Sequence, residues 1–374
     1  MGENDRLWTR DLRRVVVKIG SGVLVDESNQ LDEACIDHLV EQMAGLRVAG
    51  VDVICVSSGS IAAGLPALGL SRRPADLPSL QAAAAIGQAR LIGVYRSLFA
   101  RHGLEAAQIL LTHDDLHARR QHLNARNTLR HLLERGVVPV VNENDTVAVD
   151  EIRFGDNDML SALVATLVHA DVLVLLTTVE GLLTAAPQDG GTLIPSLEAV
   201  TDDIMDLVAD TSSSISVGGM RTKLEAARLV TRAGEHCVIA HGRTPEVIRR
   251  VIAGEAIGTD VRPSTRRMRG RERWIAFFDR THGELHLDDG AVRAVRHDGR
   301  SVLAIGITRV EGRFECGAPV RLVDPGGVEI GRGLVNYAAD DLRRIAGRRS
   351  EEILAVLGRC DYDEVVHRDN LVLA

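Results

Sequence analysis

Two stretches of the sequence join a lysine to glycine-rich backbone, and a third places small polar residues after an apolar run. They are VVVKIGSGVL (15–24), SVGGMRTKLEAARL (216–229) and VSSGSIAAG (56–64). Glycine lets backbone N–H groups approach a ligand, and a lysine adds a point charge, so Lys18 and Lys223 predict a phosphate site. Taken alone, each stretch also fits an ordinary capped helix start or a surface lysine.

A fourth stretch, VNENDTVAVDEIRFGDNDMLSALVA (141–165), is the most polar one between apolar runs. It holds more Asn and Asp than capping and turns require. Carboxylates accept from an ammonium group and amides donate to a carboxylate, so the stretch favours a zwitterionic ligand. Asp158 could lie between Lys18 and Lys223, and two cations around one phosphoryl group would suit its transfer. The acids lack the spacing of an EF-hand, so no calcium site is predicted.

The elements that must position these residues alternate between strand-like and helix-like. Predicted strands are 15–19, 51–56, 106–112, 137–141, 172–177 and 236–240, and predicted helices are 31–50, 81–103, 124–136, 158–170 and 219–234. This alternation predicts a parallel sheet flanked by helices. Ligands of such sheets bind at the carboxyl ends of the strands, where the polar stretches begin.

Composition excludes several classes of protein. The 374 residues predict two domains, and a formal charge of −8 disfavours a general binder of polyanions. Five cysteines without a CxxC pair support neither a disulfide framework nor a zinc site. The N-terminus has no apolar signal core and no long apolar stretch follows, which predicts a cytoplasmic protein outside the membrane.

The pattern changes at RPSTRRMRGRER (262–273), which carries six arginines and one acid. It favours a solvated linker between domains, with a basic patch as the alternative. Beyond it, six segments suggest short strands separated by Gly and Asp turns, including WIAFF, GELHLDD and AVRAVRHDG. They predict a small β domain, which a short helix (DDLRRIAG) and a polar tail follow.

The motifs VVVKIGSGVL, VSSGSIAAG, VNENDTVA, FGDNDMLSALVA and GGMRTK, in this order and spacing, resemble the glutamate 5-kinase family of the amino acid kinase superfamily. GITRVEGRF, GRGLVNY, LRRIAG and VVHRDNLV resemble the PUA domain and tail of many bacterial members. The resemblance implies an α/β three-layer sandwich with a mainly parallel sheet, followed by a small β-barrel-like PUA domain. The domains would be 1–261 and 274–374, joined by the linker 262–273.

The resemblance implies that the enzyme transfers the γ-phosphoryl group of ATP, with Mg²⁺, to the side-chain carboxylate of L-glutamate. The product, glutamyl 5-phosphate, would be the first intermediate of proline biosynthesis. Proline would be a feedback inhibitor, and the chain would form a dimer or tetramer. Mg²⁺ would come with the nucleotide phosphates, and no dedicated protein metal site is expected.

Site residues are assigned by the same resemblance. Lys18 and Lys223 would stabilise the phosphoryl group in transfer, and Asp158 would hold both ammonium groups. Ser58, Asp145 and Asn157 would contact glutamate. Gly20 and Gly59 would supply phosphate-facing backbone. Residues of the nucleotide site would be Lys18, Thr177, Thr178, Val217, Gly218, Gly219, Met220, Arg221, Thr222 and Lys223.

Several positions depart from the family pattern, most of them on the nucleotide side. The family usually reads TDxxGLYTADP where this chain reads TTVEGLLTAAP, so Thr178, Leu183 and Ala186 differ. Val217 stands in place of a usual Thr, and Leu80 in place of a common Lys. Because a neutral hydrogen bond contributes about 1 kcal/mol, these changes predict altered ATP affinity rather than lost chemistry.

Two alternatives remain at this stage. One is a related kinase acting on N-acetylglutamate, aspartate or a nucleotide, against which the two acidic loops and the PUA-like segment argue. The other is an RNA-binding or regulatory protein on a kinase scaffold with a weakened ATP site. Residues 270–374 hold 16 basic and 18 acidic residues. Phosphate contacts dominate affinity for nucleic acids, so RNA binding is not expected.

Overall fold

The computed structural model describes residues 7–28, 30–70, 72–112, 115–116, 119–147, 157–185, 190–210, 217–264, 281–360 and 362–373. The chain divides into two compact units, Met1–Arg267 and Met268–Ala374. This division falls inside the predicted linker, of which residues 265–273 lie outside the described ranges. No helix in the described ranges combines the length and the apolar character needed to span a membrane.

The first unit is built on an eight-stranded sheet with the strand order β3-β4-β2-β1-β5-β7-β8-β6. Its strands are β1 (Arg14–Ile19), β2 (Asp52–Ser57), β3 (Ala106–Leu111), β4 (Val138–Glu143), β5 (Val172–Thr177), β6 (Ser196–Leu197), β7 (His236–His241) and β8 (Thr259–Val261). All neighbours pair in parallel except β7 and β8. The predicted mainly parallel sheet is therefore confirmed, and all six predicted strands are present.

Helices connect these strands, and the five predicted ones are all present. The helices of this unit are α1 (Ser21–Leu24), α2 (Glu33–Val48), α3 (Ser60–Gly64), α4 (Leu77–Arg101), α5 (Arg119–Glu134), α6 (Asn157–Val168), α7 (Asp202–Asp210), α8 (Val217–Ala233) and α9 (Val247–Ile252). Short 3₁₀ turns occur at Leu7–Asp11 and Leu65–Leu68. The helices that sequence patterns missed, α1, α3, α7 and α9, have four to nine residues, too few to show a clear apolar period.

The core explains why polar residues at the strand ends are held firmly. β4 and β5 are buried along their whole length, and β1 and β2 are buried except at their first residues. The Val- and Leu-rich sequences of these strands fit a sheet that is covered on both faces. All twelve residues of α6 are buried as well. A side chain at the start of α6 or the end of β1 therefore has little freedom to move.

Two glycines bring α3 and α4 into backbone contact. A Cβ atom added to Gly64 would lie 1.9 Å from the Ala83 oxygen, and one added to Gly87 would lie 1.7 Å from the Ser60 oxygen. Any larger residue would separate the two helices. α3 is thus fixed against the long α4.

The second unit contains a five-stranded mixed sheet with the order β10-β9-β11-β12-β13. Its strands are β9 (Gly283–Leu287), β10 (Ile307–Gly312), β11 (Pro319–Val323), β12 (Glu329–Leu334) and β13 (Leu371–Leu373), and its helices are α10 (Asp289–Arg296), α11 (Ala339–Ile345) and α12 (Ser350–Leu357). Short 3₁₀ turns lie at Ala304–Gly306 and Arg368–Asn370. The apolar core of this unit lies between the sheet and the helices.

One predicted strand of this unit is wrong. AVRAVRHDG lies largely in α10, because Asp288 caps the helix by accepting a hydrogen bond from Ala291 N at 2.7 Å. Val292 and Val295, three positions apart, both contact the core. The polar tail also contains α12 and β13, which the sequence patterns missed. WIAFF lies outside the described residues.

Candidate active site

Lys18 lies near the carboxyl end of β1 and is only 3% exposed. β1 pairs with β2 on one side and β5 on the other, so this lysine stands in the middle of the sheet. Its Nζ donates to Oδ1 of Asp158 at 2.5 Å. Asp158 is the second residue of α6 and is itself buried. The ammonium group of Lys18, which follows the apolar run of β1, therefore contacts a buried acid and not solvent.

Lys223 approaches the same acid from the second turn of α8 and is 8% exposed. Its Nζ donates to Oδ2 of Asp158 at 3.0 Å and to the Gly219 oxygen at 2.8 Å. The Thr222 hydroxyl also donates to Oδ2 of Asp158, at 2.9 Å. Lys18 and Lys223 are the only lysines among the 44 basic residues of the sequence. Two ammonium groups, 205 positions apart in the chain, thus bind opposite oxygens of one carboxylate.

The charges around Asp158 keep it ionised. Burial alone would raise its pKa, but the ammonium groups of Lys18 and Lys223 outweigh burial and hold the pKa below the ordinary value of 3.8. The three groups together carry one net positive charge. Such a site can attract a phosphoryl group, whose oxygens would find two positioned cations.

The same hydrogen bonds bear on where a metal ion would bind. Both oxygens of Asp158 already accept from ammonium groups, and Oδ2 also accepts from Thr222. This carboxylate is therefore not an open ligand for a hard cation such as Mg²⁺, which usually keeps several waters and binds through substrate phosphates. Asp158 thus serves the two lysines and leaves no oxygen without a hydrogen bond.

A cluster of amides and hydroxyls lies at the neighbouring strand ends. Nδ2 of Asn157 lies 2.9 Å from the Ser57 oxygen, 3.0 Å from Oγ of Ser58 and 2.8 Å from Oδ1 of Asn142. Asn157 begins α6, whereas Asn142 lies in β4. Oδ1 of Asn157 is buried and accepts no hydrogen bond from the described residues. An unpaired buried acceptor costs free energy, and a bound donor would relieve that cost.

Asp145 follows β4 and contacts the first residue of α3. Its Oδ2 accepts from the Ser60 hydroxyl at 2.7 Å. Burial raises the pKa of Asp145 above 3.8, while Ser60 and Arg73 act in the opposite direction. Gly59, immediately before α3, has φ = +96°, a conformation that favours glycine and turns the chain so that Ser60 begins the helix. The carboxyl group of Asp145, oriented by Ser60, is an acceptor suited to an ammonium group.

Apart from Lys18 in β1, the predicted nucleotide residues lie at the carboxyl end of β5 and the start of α8. Thr177 is the last residue of β5 and is buried, whereas Thr178 is exposed. A Cβ added to Gly22 would lie 2.9 Å from the Thr178 side chain, so this threonine adjoins α1. The remaining predicted residues, Val217, Gly218, Gly219, Met220, Arg221, Thr222 and Lys223, form the first two turns of α8.

The positions that depart from the family pattern differ in their surroundings. Leu80 is buried in a small apolar cluster with Ile61 and Leu77, which joins α3 to α4. Leu183 forms an isolated antiparallel bridge with Leu193. Ala186 lies outside the described residues. Leu80 therefore has a clear packing role where a lysine would require a polar partner.

Sequence reasoning did not assign Ser60, Gln88 or the contact between Thr222 and Asp158. Gln88 accepts from Nδ2 of Asn142 at 2.8 Å and so orients that amide. Ser60 adjoins the predicted Ser58 and Gly59, and polarity after a strand was a usable signal. Gln88 lies inside a long helix, where nothing local distinguishes it from a solvated residue.

Comparison with known proteins identifies the family of each domain. Residues 13–241 match the amino acid kinase family and residues 283–357 match the PUA domain. The glutamate 5-kinase of Thioalkalivibrio sulfidiphilus (strain HL-EbGR7) is 50% identical over 363 residues, covering 96% of this chain and 97% of that protein. The glutamate 5-kinase of Ralstonia pickettii (strain 12J) is 47% identical over 365 residues, covering 97% and 98%.

Solved structures give a more distant likeness. A UMP kinase from Bacillus anthracis shares 16% identity, with a TM-score of 0.46 over 68% of this chain and 97% of that chain. The assignment to a family rests on the family match and on the relatives that align over nearly the full chain. This chain is a kinase that belongs to the amino acid kinase family and, within it, to the glutamate 5-kinases, and it carries a PUA domain after the kinase domain.

Proposed function

We propose that this chain transfers the γ-phosphoryl group of ATP to the side-chain carboxylate of L-glutamate. The product would be glutamyl 5-phosphate, the first intermediate of proline biosynthesis. The observation that carries the proposal is the pair of buried lysines on opposite oxygens of Asp158. The family membership and the curated glutamate 5-kinase relatives support the choice of substrate.

The lysines act on the group in transfer. The attacking carboxylate of glutamate is already anionic, so the reaction needs no general base. Catalysis then depends on alignment and on neutralising the charge of the phosphoryl oxygens. Lys18 and Lys223 would each turn an N–H bond toward these oxygens, while Asp158 keeps both ammonium groups in place. Mg²⁺, held by the nucleotide phosphates, would supply further positive charge.

The glutamate side of the site is assembled from three elements. Asp145 would accept hydrogen bonds from the substrate ammonium, and so would the unpaired Oδ1 of Asn157. Ser58, directly after β2, would offer its hydroxyl to a carboxylate of the substrate. Because Asn157 already contacts Ser57, Ser58 and Asn142, this part of the site is held in place before the substrate binds. Thr177, Thr178 and residues 217–223 would line the ATP site.

We further propose that the kinase domain spans residues 1–261, the linker 262–273 and the PUA-like domain 274–374. The linker boundaries enclose the point where the two compact units divide. Feedback inhibition by proline, assembly into a dimer or tetramer, a cytoplasmic location and the absence of RNA binding remain predictions. A native mass spectrum and an inhibition curve with proline would test the first two.

Glutamate-dependent release of ADP tests the proposed function. Wild type should phosphorylate glutamate in preference to aspartate and N-acetylglutamate. Lys223→Ala should lower kcat by at least about 100-fold, since one positioned donor to a transition-state oxygen has this effect elsewhere. Its effect on the KM for glutamate should be much smaller. Equal turnover in wild type and Lys223→Ala would refute the assigned role.

A matched variant separates charge from shape. Lys223→Arg keeps the positive charge but replaces a compact ammonium with a planar guanidinium. Because Lys223 is almost fully buried between Gly219 and Asp158, the larger group does not fit the same geometry. We expect Lys223→Arg to lose most activity as well. Full activity in this variant would mean that only the net charge matters.

A further inference from the structure

Arg243, one residue beyond Gly242 at the end of β7, reaches across the unit to the segment after β1. Its Nη1 donates to Oδ2 of Asp32 at 2.8 Å. Its Nη2 donates to two backbone oxygens, that of Val23 at 3.1 Å and that of Val25 at 2.7 Å. One guanidinium thus binds three acceptors on a segment more than 200 positions away in the sequence.

The acceptors show what Arg243 does locally. α1 has only four residues, so it cannot hold its shape through internal hydrogen bonds. The last carbonyls of any helix lack partners within the helix, and here Arg243 binds two carbonyls at that end. Asp32 caps α2 by accepting from Cys35 N at 3.0 Å. Arg243 therefore ties the end of α1 to the start of α2.

A backbone hydrogen bond also holds the same segment at its first residue. Gly20 N donates to the Leu176 oxygen at 3.0 Å, which joins the start of α1 to β5. Close packing completes the attachment, because a Cβ added to Gly242 would lie 2.7 Å from a methyl group of Val23. The turn that carries Arg243 thus lies directly against α1.

This segment borders the lysine site. A Cβ added to Gly20 would lie 3.8 Å from Nζ of Lys18, and one added to Gly22 would lie 2.9 Å from the side chain of Thr178. The backbone of residues 20–22 therefore stands between a proposed phosphate-binding lysine and a proposed nucleotide residue. A shift of this backbone would change the surroundings of a bound triphosphate.

We propose that Arg243 is a positioning residue that holds the backbone of residues 20–25 in place for the phosphates of ATP. The inference rests on the proposed function and extends it to a residue outside the set assigned to either substrate. Arginine suits the task because its planar group presents donors in several fixed directions, whereas a lysine ammonium cannot reach all three acceptors in this arrangement. None of Ser58, Asp145 and Asn157 belongs to this segment, which approaches the glutamate side where Leu24 packs beside Gly59. Loss of Arg243 should therefore affect ATP more than glutamate.

Steady-state kinetics of the full chain test the proposal. Arg243→Ala should lower kcat/KM for ATP by about tenfold, the effect of losing hydrogen bonds from a charged donor. Its KM for glutamate should stay within about twofold of wild type, as for surface substitutions. Arg243→Lys should recover only part of the loss, because the ion pair with Asp32 can form but both carbonyl contacts cannot.

Arg250→Ala is the matched control. Arg250 is 41% exposed against 39% for Arg243, and its Nε pairs with Glu255 at 2.7 Å, so its loss removes the same charge and a similar ion pair. Arg250→Ala should have the same kcat/KM for ATP and the same KM for glutamate as wild type. An unchanged kcat/KM for ATP in Arg243→Ala, or equal losses for ATP and glutamate, would overturn the proposal.

Hydrogen exchange provides a readout that does not require the proposed reaction. Amides of residues 21–32 should exchange faster in Arg243→Ala than in Arg250→Ala, while those of β4 and α6 should not change. If wild type failed to phosphorylate glutamate, the proposed function would fall, yet faster exchange here would still support the structural tie. Equal exchange in the two variants would show that Arg243 does not hold the segment.

Discussion

Asp158→Asn is the most informative single change, because it removes one charge and almost no volume. In wild type, Asp158 binds Nζ of Lys18 at 2.5 Å and Nζ of Lys223 at 3.0 Å. The variant leaves two buried ammonium groups facing a neutral amide. Asn can still accept one hydrogen bond at its oxygen, but its NH₂ group would point a donor at a second donor.

The magnitude follows from burial. Removing one partner of a buried ion pair typically costs 3–5 kcal/mol, because the remaining charge is desolvated without compensation. Both lysines are less than a tenth exposed, so water cannot replace the lost carboxylate. We therefore expect the free energy of unfolding to fall by about 3–5 kcal/mol. We also expect kcat to fall at least about 100-fold, since both donors lose their fixed positions.

Urea denaturation with and without a non-hydrolysable ATP analogue measures the effect. The analogue should stabilise Asp158→Asn more than wild type, because its phosphates would replace the missing negative charge. Asp202→Asn is the control, since Asp202 is 83% exposed and pairs with Arg228 at 2.9 Å. Asp202→Asn should lower the free energy of unfolding by less than about 1 kcal/mol. A stability change in Asp158→Asn no larger than that of the control would refute this account of the site.

The dependence on pH gives the same prediction a second test. The folded-state pKa of Asp158 lies below its ordinary value of 3.8, so its contribution to stability is present above pH 3.8 and is lost as the pH falls through the lowered pKa. The stability difference between wild type and Asp158→Asn should therefore be constant near neutral pH and shrink below about pH 3.8. A difference that grows in acid would contradict the assigned direction.

Two further changes have clear expected outcomes. Asp145→Asn should raise the KM for glutamate. Because burial raises the pKa of Asp145, wild type should lose affinity for glutamate in mild acid. When the KM for glutamate is measured against pH, the variant should show a weaker dependence than wild type. Gly87→Ala should lower the free energy of unfolding by about 3 kcal/mol, because its Cβ would overlap the Ser60 oxygen. Gly93→Ala in the same helix, where a Cβ meets nothing, should instead raise it by about 0.5–1 kcal/mol in urea titrations.

The fold was predictable where apolar pattern and burial coincide. β1, β2, β4 and β5 are almost fully buried, and their Val- and Leu-rich runs predicted them within a few residues. β6 and β8 have only two and three residues, which carry no readable period. α10 was mistaken for a strand because its valines suit both states, and its cap at Asp288 decides for helix.

The site was predictable to the extent that strand ends meet at one edge of a sheet. That rule brought Lys18 and Asp158 together across 140 positions, and the glycine-rich start of α8 added Lys223. It could not find Gln88 or Arg243, because their partners depend on how a helix and a distant loop pack. Side-chain contacts of that kind leave no local mark in a single sequence.

Substitutions should have different effects in the buried lysine–aspartate cluster and at the exposed nucleotide residues. Lys18 and Lys223 are buried and both bind Asp158. Loss of the acid would leave two desolvated ammonium groups, and loss of either lysine would leave one carboxylate oxygen without its cation. Thr178, which departs from the family pattern, is exposed and adjoins α1, so water can replace a lost contact at little cost. Affinity for the nucleotide can therefore vary without loss of the chemistry. We accordingly expect this chain to differ from its relatives in the KM for ATP more than in kcat.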